Sequence, residues 1–146
     1  MFAKQNLISQ VLGYFAAGTT KRTTTILDMA NYDGVLFIIG LGTIIEAGTL
    51  DGFVEQNIAN STVGMARLAT TSAYTVTAAD AAKTQSCILI DVFRPQERYI
   101  QANITPAVQN AVVLGCVAIQ YSGRVKPETQ GSSVLVATSL GSPAEA

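Results

Sequence analysis

The chain has no histidine and no tryptophan in its 146 residues. Without histidine, the Ser-His-Asp and Cys-His arrangements of nucleophilic catalysis are excluded, as are cupin-type metal sites that need imidazole ligands. Without tryptophan, and with only five tyrosines and five phenylalanines, the exposed aromatic platforms of a carbohydrate-binding sandwich are scarce. Charge is also sparse. Asp, Glu, Lys and Arg make up 13% of the chain, against roughly 25% in an average soluble domain. Nine basic and ten acidic residues are scattered along it, so no basic stripe exists to displace counterions from nucleic acid. The two cysteines, Cys87 and Cys116, fit no zinc spacing. They read as buried free thiols, with a disulfide between neighbouring strands as the alternative.

Other absences narrow the field further. The longest apolar passage, Gly34 to Leu50, is broken by Gly40, Gly42, Thr43, Glu46 and Gly48, and does not read as a membrane span. Near the N-terminus, Asn6, Ser9 and Gln10 interrupt any secretory apolar core. The sequons at Asn60 and Asn103 carry no weight without secretion. Gly40-Leu41-Gly42 follows an apolar run, but Ile45 stands where a dinucleotide turn needs its third glycine. No Gly-Lys-Ser/Thr phosphate loop occurs. Asp91 and Glu97 are the pair of acids a glycosidase could use. Glu97, however, lies in a turn beside Arg94 and Arg98, where a solvated ion pair is the ordinary explanation. No enzyme, cofactor or metal is expected.

What is present is β structure. Hydrophobic residues reach 49%, enough for one core, and period-two runs are punctuated by Pro and Gly. The central block runs from Ser86 to Pro127. Cys87–Phe93 is a compact apolar run, Arg94-Pro95-Gln96-Glu97 a turn, and Ala111–Tyr121 a long third run. Between them, Ile100, Ala102 and Ile104 share one strand face, while Tyr99, Gln101 and Asn103 share the other. These read as adjacent antiparallel strands at the centre of a sandwich. Earlier strands are expected at Thr23–Met29 and Val35–Leu41, the second covered on both faces. Leu50–Gln56 is expected to follow a loop from Gly42 to Thr49, with an Asp51-Gly52 hairpin turn as the alternative. A weak strand or a single turn is expected at Val63–Leu68, another strand around Tyr74–Ala78, and one helical turn within Thr77–Lys83.

The expected fold is an all-β, single-domain antiparallel sandwich of about eight strands, of jelly-roll or Greek-key type. Residues 23–127 form it, and arms extend at residues 1–22 and 128–146. Leu7, Ile8, Val11, Leu12 and Phe15 have helical spacing, so the N-terminal arm reads as a short amphipathic helix or an extended segment. Val134–Leu140 has strand propensity and returns to its own sheet edge, adds to a neighbour's, or stays disordered. Arg94, Pro95, Arg98 and Tyr99 gather at one end of the central strands, and Tyr121, Arg124 and Lys126 end the third. Arg and Tyr are the side chains that most enrich protein interfaces, so these seven positions are the candidate partner contacts.

Asp91-Val-Phe-Arg-Pro-Gln-Glu-Arg-Tyr99, Ala118-Ile-Gln-Tyr121, Arg124-Val-Lys-Pro127 and Asn31-Tyr-Asp-Gly-Val-Leu-Phe37 resemble small structural proteins of tailed bacteriophages. The likeness runs from about Ile26 to Pro127, and the nearest kind is the jelly-roll cement, or capsid decoration, protein of short-tailed phages. That resemblance implies a virion protein made in the bacterial host cytoplasm and placed on the capsid exterior, often as a homodimer. Its partners would be the major capsid protein and itself, with neither nucleic acid nor membrane. It would cement neighbouring major-capsid subunits, and the turn holding Arg94, Pro95, Arg98 and Tyr99 would have a structural or contact role. A head–tail connector or tail component is the nearest alternative, a carbohydrate-binding sandwich the next.

Overall fold

The computed structural model describes residues 2–68 and 73–139. In chain order the elements are α1 (Phe2–Gln5), β1 (Leu7–Leu12), β2 (Phe15–Gly18), β3 (Arg22–Thr23), β4 (Leu27–Asp28), β5 (Gly34–Ile44), β6 (Thr49–Asn57), β7 (Ala66–Arg67), β8 (Tyr74–Thr75), α2 (Ala78–Ala81), β9 (Ser86–Phe93), β10 (Tyr99–Ala107) and β11 (Ala111–Tyr121). In the first sheet β1 and β2 both pair with β11, followed by β5 and then β9. In the second, β3 and β4 both pair with β10, followed by β6, which also holds β7 and β8. Every pairing is antiparallel. With β1/β2, β3/β4 and β7/β8 each taken as one interrupted strand, eight remain, and their interleaving across the two sheets is that of a jelly roll.

The core lies where the two inner faces meet. Val35, Phe37, Ile39 and Leu41 of β5 face Ile100, Ala102 and Ile104 of β10, and Val113, Cys116 and Ala118 of β11 complete the layer. All are 2% exposed or less. The alternation read at Ile100–Ile104 therefore holds. α2 is the helical turn expected after Thr77, whose hydroxyl caps it while Asp80 reaches back to the Thr77 backbone.

Several expectations need correction. The N-terminal segment is not a helix or a free arm beyond its first turn. Leu7–Leu12 and Phe15–Gly18 are edge strands on β11, because an edge needs only one apolar face and Val11 and Leu12 supply it. The sandwich thus begins at Leu7. β9, β10 and β11 do not pair with one another, since the chain changes sheet at each turn, and β9 is an edge strand. The loop before β6 is confined to residues 45–48, with Ala47 in the left-handed region (φ 64°). Thr23–Met29 makes only the short pairings of β3 and β4. Cys87 is exposed and Cys116 buried. They lie on strands either side of β5 and project to opposite faces, so both stay free thiols.

The segment after Pro127 leans on the outer edge of β1. Glu128 N–H donates to Lys4 C=O at 2.9 Å, and Tyr32 Oη donates to Glu128 Oε2 at 3.1 Å. Val134–Ser139 forms no strand, although its sequence favours one.

Candidate functional site

The two outer faces of the sandwich differ in kind. On the second sheet, polar and charged side chains bond to one another, with Gln101 Oε1 left over. Glu55 accepts from Gln101 Nε2 at 2.9 Å and Asn103 Nδ2 at 3.0 Å, and Thr23 Oγ1 donates to Asn103 Oδ1 at 2.6 Å. The Phe53 ring lies 5.2 Å from Lys21 Nζ and 4.0 Å from the Arg67 guanidinium, which also forks onto Asp51 at 2.8 and 2.9 Å. Gln101 and Asn103 are 3% and 1% exposed. Both amides on the face opposite Ile100, Ala102 and Ile104 are thus buried, and the sequon at Asn103 is enclosed.

The first sheet presents the opposite face. Leu36 and Ile38 of β5 point outward between Ile119 and Val117 of β11 on one side and Asp91 and Leu89 of β9 on the other. Ile8 extends the first row and Gln10 the second. Leu36, Ile38, Val117, Ile119 and Ile8 are only half-buried. Leu89 and Phe93 are each 60% exposed, and Leu114 is 49% exposed. β5 was expected to be covered on both faces. Among the described residues, nothing overlies its outer side chains beyond their strand neighbours, so the apolar pattern of both faces is present but one face lacks a cover. A contiguous apolar sheet face of this kind is the mark of a docking surface.

Four of the candidate contact residues meet in a cleft at one end of the sandwich. Arg94, Pro95, Arg98 and Arg124 line a cleft of about 520 Å³ together with Tyr32 and Asp33. Arg94 takes a left-handed conformation (φ 50°), its N–H donates to Asp33 C=O at 2.6 Å, and its guanidinium lies 5.0 Å from the Phe93 ring. Arg124 N–H donates to Asn31 C=O at 3.0 Å, which ties the second turn to the first. The cleft therefore joins the apolar face at Phe93.

Three of the candidates, Arg98, Tyr99 and Tyr121, are occupied within the fold. Arg98 does not pair with Glu97 but forks onto Asp28 at 2.7 and 2.8 Å, clasping β4 to β10. This hydrogen bonding holds the Asp28 carboxyl below its ordinary value and raises Arg98. Tyr99 lies on the second sheet beneath the Arg98 guanidinium, 5.1 Å away. Tyr121 is on the apolar face and donates to Asp91 Oδ1 at 2.7 Å. Desolvation, reinforced by that bond, pushes its hydroxyl up to about 12. Lys126 is exposed and lies outside the cleft lining.

Sequence reasoning missed the outward apolar rows themselves. The signal lies in three strands that are apolar at both parities, of which Val35–Leu41 alone reads as covered on both faces. Among the described residues no cluster of potential metal ligands occurs, and no helix is long and apolar enough to cross a membrane.

No family model and no curated protein matches the chain. Solved structures with a partial likeness include dimeric latent PorU from Porphyromonas gingivalis, at 8% identity and a TM-score of 0.44, over 80% of this chain and 12% of that one. Another is the infectious bursal disease virus Gx strain, at 15% identity and a TM-score of 0.43, over 87% of this chain and 33% of that one. The chain spans a third or less of the length of either.

Proposed function

We propose that this chain is a non-enzymatic structural virion protein that docks on the outer surface of a tailed-phage capsid and cements neighbouring major-capsid subunits. The observation that carries the reading is the contrast between the two outer faces. On the second sheet Glu55 gathers the Gln101 and Asn103 amides, whereas the first sheet offers Leu36, Ile38, Leu89, Val117 and Ile119 with no cover among the described residues. An apolar centre with Arg94 and Arg124 at its rim has the composition of a protein interface. The phage-like motifs through Asp91–Tyr99 and Arg124–Pro127 support a capsid as the partner.

Burying the rest of Leu89 and Phe93, each 60% exposed, would add roughly 1–2 kcal/mol apiece. Such a face gives modest affinity at one site. On a symmetric shell the same contact recurs at every equivalent position, and linked copies bind with avidity beyond the single-site value. The test is to add purified protein to shells assembled from the major capsid protein of the same phage. Co-sedimentation at many copies per shell, with raised resistance to heat, is expected. Absence of binding rejects cementing, and a fixed small copy number per particle points to a connector or tail role instead.

A further inference from the structure

The outer edge of β1 is satisfied in an unusual way. β1 is the last strand of its sheet on that side, with β11 on its other flank. Its outward main-chain groups therefore need a partner. They receive side chains instead of a strand. Gln130 Oε1 accepts from Ile8 N–H at 2.9 Å while Gln130 Nε2 donates to Asn6 C=O at 2.8 Å and to Ala3 C=O. Two residues along β1, Ser133 Oγ accepts from Gln10 N–H at 3.2 Å. The Gln130 amide thus occupies the N–H and C=O positions that a neighbouring strand's main chain would take.

The segment able to supply that main chain stands beside the edge without using it. Val134 N–H donates to Gly131 C=O at 3.1 Å, turning the chain back, and Ala137, Thr138 and Ser139 come to line a shallow groove with Ala3 and Lys4. Leu135 is 93% exposed and Val136 80% exposed. A Val-Leu-Val-Ala-Thr run is a strong strand former, yet among the described residues it joins no strand, and its Leu135 and Val136 side chains face solvent. Acceptor edge and donor strand are both present in one chain, and a turn keeps them apart.

We propose that β1 is a strand-acceptor edge whose occupant is the Val134–Thr138 segment of a second copy of this chain. Gln130 and Ser133 act as placeholders that protect the edge until exchange. Opening of the Gly131–Val134 turn replaces side-chain bonds with a main-chain ladder and places Leu135 or Val136 beside the apolar face of the neighbour's first sheet. Reciprocal exchange closes a dimer, and sequential exchange links copies into a ring or a chain. The proposal concerns contact between copies and stands apart from the docking of the sheet face on a shell.

The experiment uses the full chain in a Cys87→Ser background. One preparation carries Gln10→Cys, and a second, of different size through a tag, carries Leu135→Cys. Mixed and oxidised, they are expected to give a covalent heterodimer joined through the two introduced thiols. Val136→Pro in the second chain removes a main-chain donor at an exposed position outside the sandwich, and is expected to abolish the product without changing the melting temperature of the monomer. Gln130→Ala frees the edge and is expected to raise the yield. The proposal is overturned if the oxidised mixture gives no heterodimer. It is equally overturned if Val136→Pro leaves the yield unchanged. Shell binding by the Val136→Pro variant is a separate readout, so loss of exchange with binding retained removes this proposal alone.

Discussion

The ring of Tyr121 lies across Gly34. A Cβ on Gly34 would come within 2.6 Å of Tyr121 Cε2, closer than real Cβ atoms approach a neighbour. The two residues are cross-strand partners on the outer face of the first sheet, where the missing side chain lets the tyrosine lie down and reach Asp91. Gly34→Ala is therefore expected to push the ring off the sheet, break the bond to Asp91 and destabilise the protein by about 1–3 kcal/mol. In a Tyr121→Ala background the same substitution is expected to cost much less. A double-mutant cycle by urea unfolding checks this.

Tyr121 also sets an alkaline dependence. Its hydroxyl is raised from the ordinary 10.0 to about 12 by desolvation and the Asp91 bond. A group whose folded value is raised contributes stability that is whole below the unfolded value and is lost as pH climbs through the folded one. Stability is thus expected to fall between about pH 10 and 12, and Tyr121→Phe to reduce that fall. Denaturation midpoints across this range measure it.

At the acid end the sign reverses. Hydrogen bonds from Arg98 hold Asp28 below its ordinary 3.8. A depressed carboxyl contributes stability above its unfolded value and loses it as pH drops through the folded one. Asp28→Asn is expected to be destabilising at about pH 6, with the gap to the parent protein closing at about pH 2. Thermal melts of both at the two pH values test this.

Glu55 joins Gln101, Asn103 and Lys21 on the second sheet. Gln101 Oε1 is already without a hydrogen-bond partner among the described residues. Glu55→Ala leaves two nearly enclosed amides short of an acceptor, so a cost of about 1–3 kcal/mol is expected. Equilibrium unfolding reads it.

The sandwich was legible because Ile100, Ala102 and Ile104 alternate strictly with polar neighbours, and alternation is the pattern of a half-buried strand. The sheet assignment was not legible. Consecutive strand-like segments such as the apolar Cys87–Phe93 and the alternating Arg98–Thr105 look like a hairpin in one sheet, yet their turn carries the chain to the other sheet, and local pattern does not record that choice. The N-terminal segment misled because Leu7, Ile8, Val11, Leu12 and Phe15 suit a helix by spacing alone, while the edge of β11 determines their actual state. At the candidate site, Arg94 and Arg124 do meet at one cleft. Arg98 is held by Asp28, seventy positions away in the chain, a partner that spacing does not reveal. The outward apolar rows were written in the sequence as strands apolar at both parities, which looks the same whether the second cover is internal or another protein.

Shell binding by paired variants on the two outer faces separates the docking surface from the closed one. Leu89→Lys places a charge at a 60% exposed position on the β9 side of the apolar face, and Thr75→Lys places one at an exposed position on β8, in register with Thr49 on the outer face of the second sheet. If the first sheet's face is the contact, copies bound per shell fall to background for Leu89→Lys and stay at the parent level for Thr75→Lys, with both variants folded. Equal binding by both, or loss with Thr75→Lys alone, contradicts it.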